Sequence, residues 1–152
     1  MSMQIGILSD THGLLRLEAL EALQGSDHIL HAGDVGNIEI LKALRQIAPV
    51  TAIRGNIDTH GPCADLPATE AIELAGHLFY LVHSLHDLDI NPRQAGVSCV
   101  VTGHSHKPLI AEQGDILYLN PGSAGPRRFG LPVTLARLTI TDRLSAELIP
   151  LM

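Results

Sequence analysis

The stretch Gln4-Ile5-Gly6-Ile7-Leu8-Ser9-Asp10-Thr11-His12 decides the fold, because its short apolar run ends abruptly in a carboxylate and an imidazole two residues apart. Such a run reads as a buried strand. Residues just past the carboxyl end of a central strand lie in the crevice where open α/β sheets hold their ligands, so Asp10 and His12 have rigid support there. The pattern recurs along the chain. Ile29-Leu30-His31-Ala32 leads into Gly33-Asp34, and Val50-Thr51-Ala52-Ile53 leads into Gly55-Asn56-Ile57-Asp58. Leu78 to Val82 leads into His83, and Cys99 to Thr102 leads into Gly103-His104-Ser105-His106. Five strand ends thus deliver acidic, amide and imidazole side chains to what can be one edge.

Between these runs, Leu14, Leu17, Leu20 and Leu23 recur at helical spacing and predict an amphipathic helix over 14–24, closed by Gly25. A second helix is expected over 37–47, stopped by Pro49. Strand, helix, strand, helix, strand with short connections means parallel pairing with right-handed crossovers. The second half changes character. Residues 60–68 read as a loop, 71–74 and 77–82 as a hairpin around Ala75-Gly76, and 91–95 as at most a short helix. A strand at 98–102 follows, then strands at 109–112, 116–119, 133–140 and 144–149. Two sheets are expected, within one domain spanning 1–152.

With 152 residues and a net charge of −6, the chain is long enough for one real core. Only ten Lys and Arg residues are scattered along it, which argues against an extended nucleic-acid footprint or an anionic-membrane patch. A small-molecule substrate is the expectation. The mean hydropathy is +0.21, yet no apolar run reaches membrane-spanning length and no leader pattern marks secretion, so a soluble cytoplasmic protein is expected. Cys63 and Cys99 form no Cys-x-x-Cys pair; Cys99 reads as core and Cys63 as a loop residue without assignment.

Each motif alone has an ordinary reading. Asp10 and Asp34 are good helix caps, Gly55-Asn56 with Asp58 is a plausible loop, and His83 could be a hydrogen-bonded core histidine. His104 and His106, alternate residues after a glycine, can both point into one cleft. Together the five ends form a metal site without coincidence. Two divalent cations about 3.5–4 Å apart need a bridging carboxylate, further oxygen ligands and imidazoles, all present here. Asp34 is the natural bridge.

At these residues the sequence resembles the calcineurin-like metallophosphoesterases, in their small single-domain prokaryotic phosphodiesterase branch. The family pattern occurs in order as Asp10-Thr11-His12, Gly33-Asp34, Gly55-Asn56, His83 and Gly103-His104-Ser105-His106, with Asn120-Pro121-Gly122-Ser123 also matching the branch. The resemblance implies one metal on Asp10, His12, Asp34 and His106, and another on Asp34, Asn56, His83 and His104. It also implies a four-layer αββα sandwich of two mixed sheets flanked by helices.

The reading is a dinuclear phosphodiesterase of a small phosphate ester, in which Asp34, Asn56 and His83 serve catalysis and a metal-bridging hydroxide attacks phosphorus. Manganese, iron, nickel or zinc suit the mixed ligands, with manganese favoured. Asn56 can also bind substrate, while Arg127, Arg128 and Lys107 are loop cations that either contact it or are simply solvated. Asp58 supports the ligands from behind or makes a turn. Two departures stand out: Ile57 occupies the place where larger members carry a proton-donating His, and Ser84 follows His83 where the branch often has glycine. His60 and His86 are the substitute acids. A homo-oligomer is compatible with all of this. The rival readings are a protein-binding scaffold on the same fold, like the retromer subunit, and a metal-binding regulator without turnover.

Overall fold

The computed structural model describes residues 2–152. The first half builds β1 (Met3–Leu8), α1 (Leu17–Ala22), β2 (His28–His31), α2 (Ile38–Arg45) and β3 (Val50–Ala52). The second half builds β4 (Thr69–Leu74), β5 (His77–Val82), α3 (Pro92–Ala95), β6 (Val97–Val101), β7 (Leu109–Gln113), β8 (Ile116–Asn120), β9 (Thr134–Ile140) and β10 (Leu144–Pro150). Single 3₁₀ turns cover Pro62–Asp65 and Leu85–Asp87.

Two five-stranded sheets result, ordered β10-β9-β1-β2-β3 and β4-β5-β6-β8-β7. Both are mixed, since β1-β2-β3 and β5-β6-β8 pair in parallel while β9, β10, β4 and β7 join antiparallel. One apolar layer lies between them, with Ile5, Ile7, Leu30 and Leu138 from the first sheet and Phe79, Leu81, Val101 and Leu119 from the second. Phe79 is fully buried there, and its truncation to Ala would cost about 3–5 kcal/mol. Leu23, Ile40, Leu41 and Leu44 of the helical segments cover the outer face of the first sheet. The outer face of the second carries a thinner layer, where Leu88 and Ile90 pack on Tyr80, Val82, Val97 and Val100.

The two-sheet sandwich is therefore as expected, with shifted boundaries. Helix α1 is shorter than 14–24, because Gly13 at φ +81° turns the chain and Leu14 bonds back to the Thr11 carbonyl. Leu14 and Leu17 are consequently exposed, and only the lower part of the predicted stripe reaches the core. Helix α2 begins where its cap dictates, with the Asn37 side chain accepting from the Glu39 N–H. The Ala75-Gly76 hairpin turn has positive φ at both residues, the primed geometry that matches strand twist. Cys63, unassigned from sequence, is buried beneath the helical layer, while Cys99 lies between the sheets. Among the described residues, no helix is long and apolar enough to cross a membrane.

Candidate metal centre

Parallel pairing aligns the carboxyl ends of β1 and β2, and the pairing continues past the strands into the loops. Asp10 N–H donates to the Gly33 carbonyl at 3.0 Å, and His12 N–H to that of Asp34 at 2.9 Å. On the other sheet, Gly103 N–H donates to the His83 carbonyl at 2.9 Å. The two sheets are tied across the site as well, because His104 N–H donates to Asp10 Oδ2 at 3.1 Å.

The backbone at these ends is strained. Asp10, His12, Asp34, His104 and His106 all have φ between +48° and +68°, a region that residues with a Cβ rarely occupy. Such conformations persist only where surrounding structure enforces them, and they cluster at functional sites. Close approach makes glycine necessary beside them. A Cβ on Gly55 would run into the Asp34 carboxylate, and one on Gly103 into Ser9 and Asp10.

Asp34 Oδ2 lies 3.4 Å from His12 Nε2 and 3.2 Å from His83 Nε2, while Asp10 Oδ1 lies 3.5 Å from His106 Nε2 and 3.8 Å from both other imidazoles. Two compact donor groups emerge: Asp10, His12 and His106, and Asp10, Asp34 and His83. Asp10 Oδ1, His12 Nε2 and His83 Nε2 are buried without any hydrogen-bond partner. Buried polar atoms left unpaired are costly, and these face one another, so the donor set fits divalent cations bound among them. His83 is oriented for that purpose: its Nδ1 meets the Ala32 carbonyl at 2.7 Å, which leaves Nε2 to ligate.

The electrostatics agree with this. Burial works against the Asp34 carboxylate, but His83, the Ile57 N–H and His12 together hold it well below the usual carboxylate range. Burial likewise depresses His83, and the adjoining Asp34 carboxylate and Ala32 carbonyl more than reverse that, raising it above its ordinary value. Burial lowers His106.

A supporting layer fixes the loops. The Asp58 carboxylate accepts from the N–H groups of Val35 at 3.0 Å, Gly36 at 3.0 Å and Gly55 at 2.9 Å, locking the Asp34 and Asn56 loops together. His31, read from sequence as a strand residue only, has a structural task. Gly33 N–H donates to its Nδ1 at 3.1 Å, so its Nε2–H faces Thr11 Oγ1 at 3.0 Å, and Thr11 donates onward to the Val35 carbonyl. Burial pushes the His31 imidazole down to about 4, and it stays neutral. Asn120 donates to the Gly103 carbonyl and Ser105 Oγ, and Ser123 to the Asp10 carbonyl.

The remaining candidates lie at the rim. His104 is exposed, its ring centroid 5.4 Å from that of His83. Asn56 is exposed too and lines a cavity of about 360 Å³ with His83. Lys107 and His86 line a second cavity that reaches His104. Arg127 is exposed, and Arg128 is the arginine whose charge reaches His106. His60 contacts only Thr59 on an exposed loop.

Residues 3–143 match the model of the calcineurin-like phosphoesterase superfamily domain. The chain belongs to that superfamily. As a phosphoesterase of this kind it is a phosphoric ester hydrolase, in a family that uses divalent metal ions. It is 34% identical to a "probable metallophosphoesterase" of Methanocaldococcus jannaschii over 99% of this chain and 82% of that one. It is 27% identical to phosphodiesterase YfcE of Escherichia coli, over 90% and 87% of the two chains. A solved structure described as a novel archaeal phosphodiesterase superposes with a TM-score of 0.82 at 24% identity, covering 97% of this phosphoesterase and 99% of that chain.

Proposed function

We propose that this phosphoesterase is a dinuclear phosphodiesterase acting on a small phosphate ester. The observation that carries the reading is Asp34 Oδ2 between two imidazoles, His12 and His83, that approach it from opposite sheets with their Nε2 atoms unpaired. Asp10, His12, Asp34 and His106 would hold one cation, and Asp34, Asn56, His83 and His104 the other. When bound, the two cations supply an ionised water for in-line attack and neutralise charge on the phosphoryl oxygens. The chain's own groups do the rest. Asp34 and His83 fix the donor geometry, and the Asn56 amide at the rim can donate to a phosphoryl oxygen. Lys107, which lines the cavity beside His104, supplies positive charge for the diester anion.

A non-catalytic scaffold would not need five strained ligand positions, and relaxed residues there would be more stable. The test strips metal with chelator, titrates manganese back and follows bis(p-nitrophenyl) phosphate hydrolysis beside metal content. Activity should vanish on stripping and return as content approaches two ions per chain. Saturation at one ion, or activity indifferent to chelation, overturns the reading.

A further inference from the structure

The second cavity named above occupies about 360 Å³, a volume in the range of small-molecule sites. Its floor is Ser84, Thr102 and Asn120, each at the carboxyl end of one of the parallel strands β5, β6 and β8. That is where α/β sheets hold ligands. Its walls are Leu85 and Leu109, both 50% exposed, with the imidazoles of His86 and His104. The cavity therefore runs from a proposed metal ligand onto apolar surface that none of the described residues covers.

Resting on the phosphodiesterase reading, we infer that this cavity holds an aromatic ring esterified to the phosphoryl group, so that the substrate is a diester with at least one aryl or nucleobase-bearing arm. Two leucines give a flat ring apolar surface to bury, and imidazole edges pack against a ring face better than against an alkyl chain. Continuity through His104 sets the direction. With the phosphoryl group among the metal ligands, an ester arm directed past His104 enters the cavity.

The experiment measures binding to the manganese-loaded protein by titration calorimetry, with phenylphosphonate and methylphosphonate as probes. They share one head group and differ in the ring. Wild type should prefer phenylphosphonate by about tenfold, and Leu85→Ser and Leu109→Ser should each bring the ratio to within about twofold. Both positions are half exposed, so the fold tolerates the changes, and circular dichroism checks it. No preference in wild type, or one unchanged in both variants, overturns the proposal. A parallel arm compares adenosine 5′-phosphate with ribose 5-phosphate. A base preference lost in the same variants assigns the cavity to a nucleobase, and a preference confined to phenylphosphonate assigns it to a directly attached ring. Ring binding without diester hydrolysis would keep the cavity and reject the phosphodiesterase reading; hydrolysis without ring preference would do the reverse.

Discussion

His83 Nε2 and Asp34 Oδ2 stand 3.2 Å apart, although Asp34 follows β2 of one sheet and His83 follows β5 of the other. The centre is thus a seam between two sheets, and the Asp34 carboxylate, the bridge proposed above, meets one imidazole from each.

Removing that carboxylate should disable both halves of the site. Asp34→Ala should lower kcat/KM by more than about a hundredfold, beyond the 10–100-fold expected from losing a mere supporting partner. The apolar layer between the sheets carries the fold, so the variant should keep its circular dichroism spectrum. A folded, metal-loaded variant retaining more than about a tenth of wild-type activity would refute the shared role.

Strain at the ligands predicts a trade of stability for function. His104 is exposed at φ +68°, where glycine avoids a Cβ penalty of about 1–2 kcal/mol. In the metal-free protein His104→Gly should unfold at equal or higher urea concentration than wild type, while its manganese affinity and turnover fall. A clear loss of stability would show that the imidazole itself, not the metal, justifies the conformation.

His31 should make the metal-free protein acid-sensitive. Its folded value of about 4 lies below the ordinary 6.5, so the unfolded chain takes up its proton first. The stability this residue contributes is complete above pH 6.5 and is lost as pH falls toward 4, amounting to about 2 kcal/mol by pH 4.5. His31→Gln should be less stable than wild type at pH 8, and the gap should narrow by about that amount at pH 4.5. Urea denaturation with chelator present measures it, and a constant gap would contradict the neutral, buried assignment.

The departing oxygen needs a proton, and Ile57 cannot give one. His86 lines the cavity beside His104 whereas His60 contacts only Thr59, so His86 is the donor the geometry favours. Log kcat for diesters of graded leaving-group pKa should fall more steeply in His86→Ala than in wild type, with little change for p-nitrophenolate and about 10²-fold loss for alkoxides. Equal slopes would exclude it.

Most of the candidate site is legible in the sequence because each proposed ligand follows an apolar run at a turn, and runs and turns are local signals. What sequence could not show depends on contacts between distant segments. His31 reads as one more strand residue until Thr11 and Gly33 close on its ring. Asp58 reads from sequence as a supporting or turn residue, and only the fold shows that its three backbone donors come from two different loops. Leucine periodicity places the start of α1 at Leu14, but the turn at Gly13 and the extended backbone of Arg16 delay it to Leu17. Arg127 and Arg128 were equivalent in sequence; only the path of the chain after Ala124 distinguishes them.

The seam also bears on synthesis. Strand β1 is central to its sheet, yet its antiparallel partner is β9, with Met3 opposite Ile140, and the His104 N–H reaches Asp10 across 94 residues. A nascent chain emerging in order has Asp10, His12 and Asp34 exposed long before His83, His104 and His106 exist. The proposed centre is complete only in a nearly finished molecule, after slow non-local closure has brought both sheets together, so cations would bind late. Metal supply would then govern how much enzyme is active, and leave how much of it folds to the apolar layer.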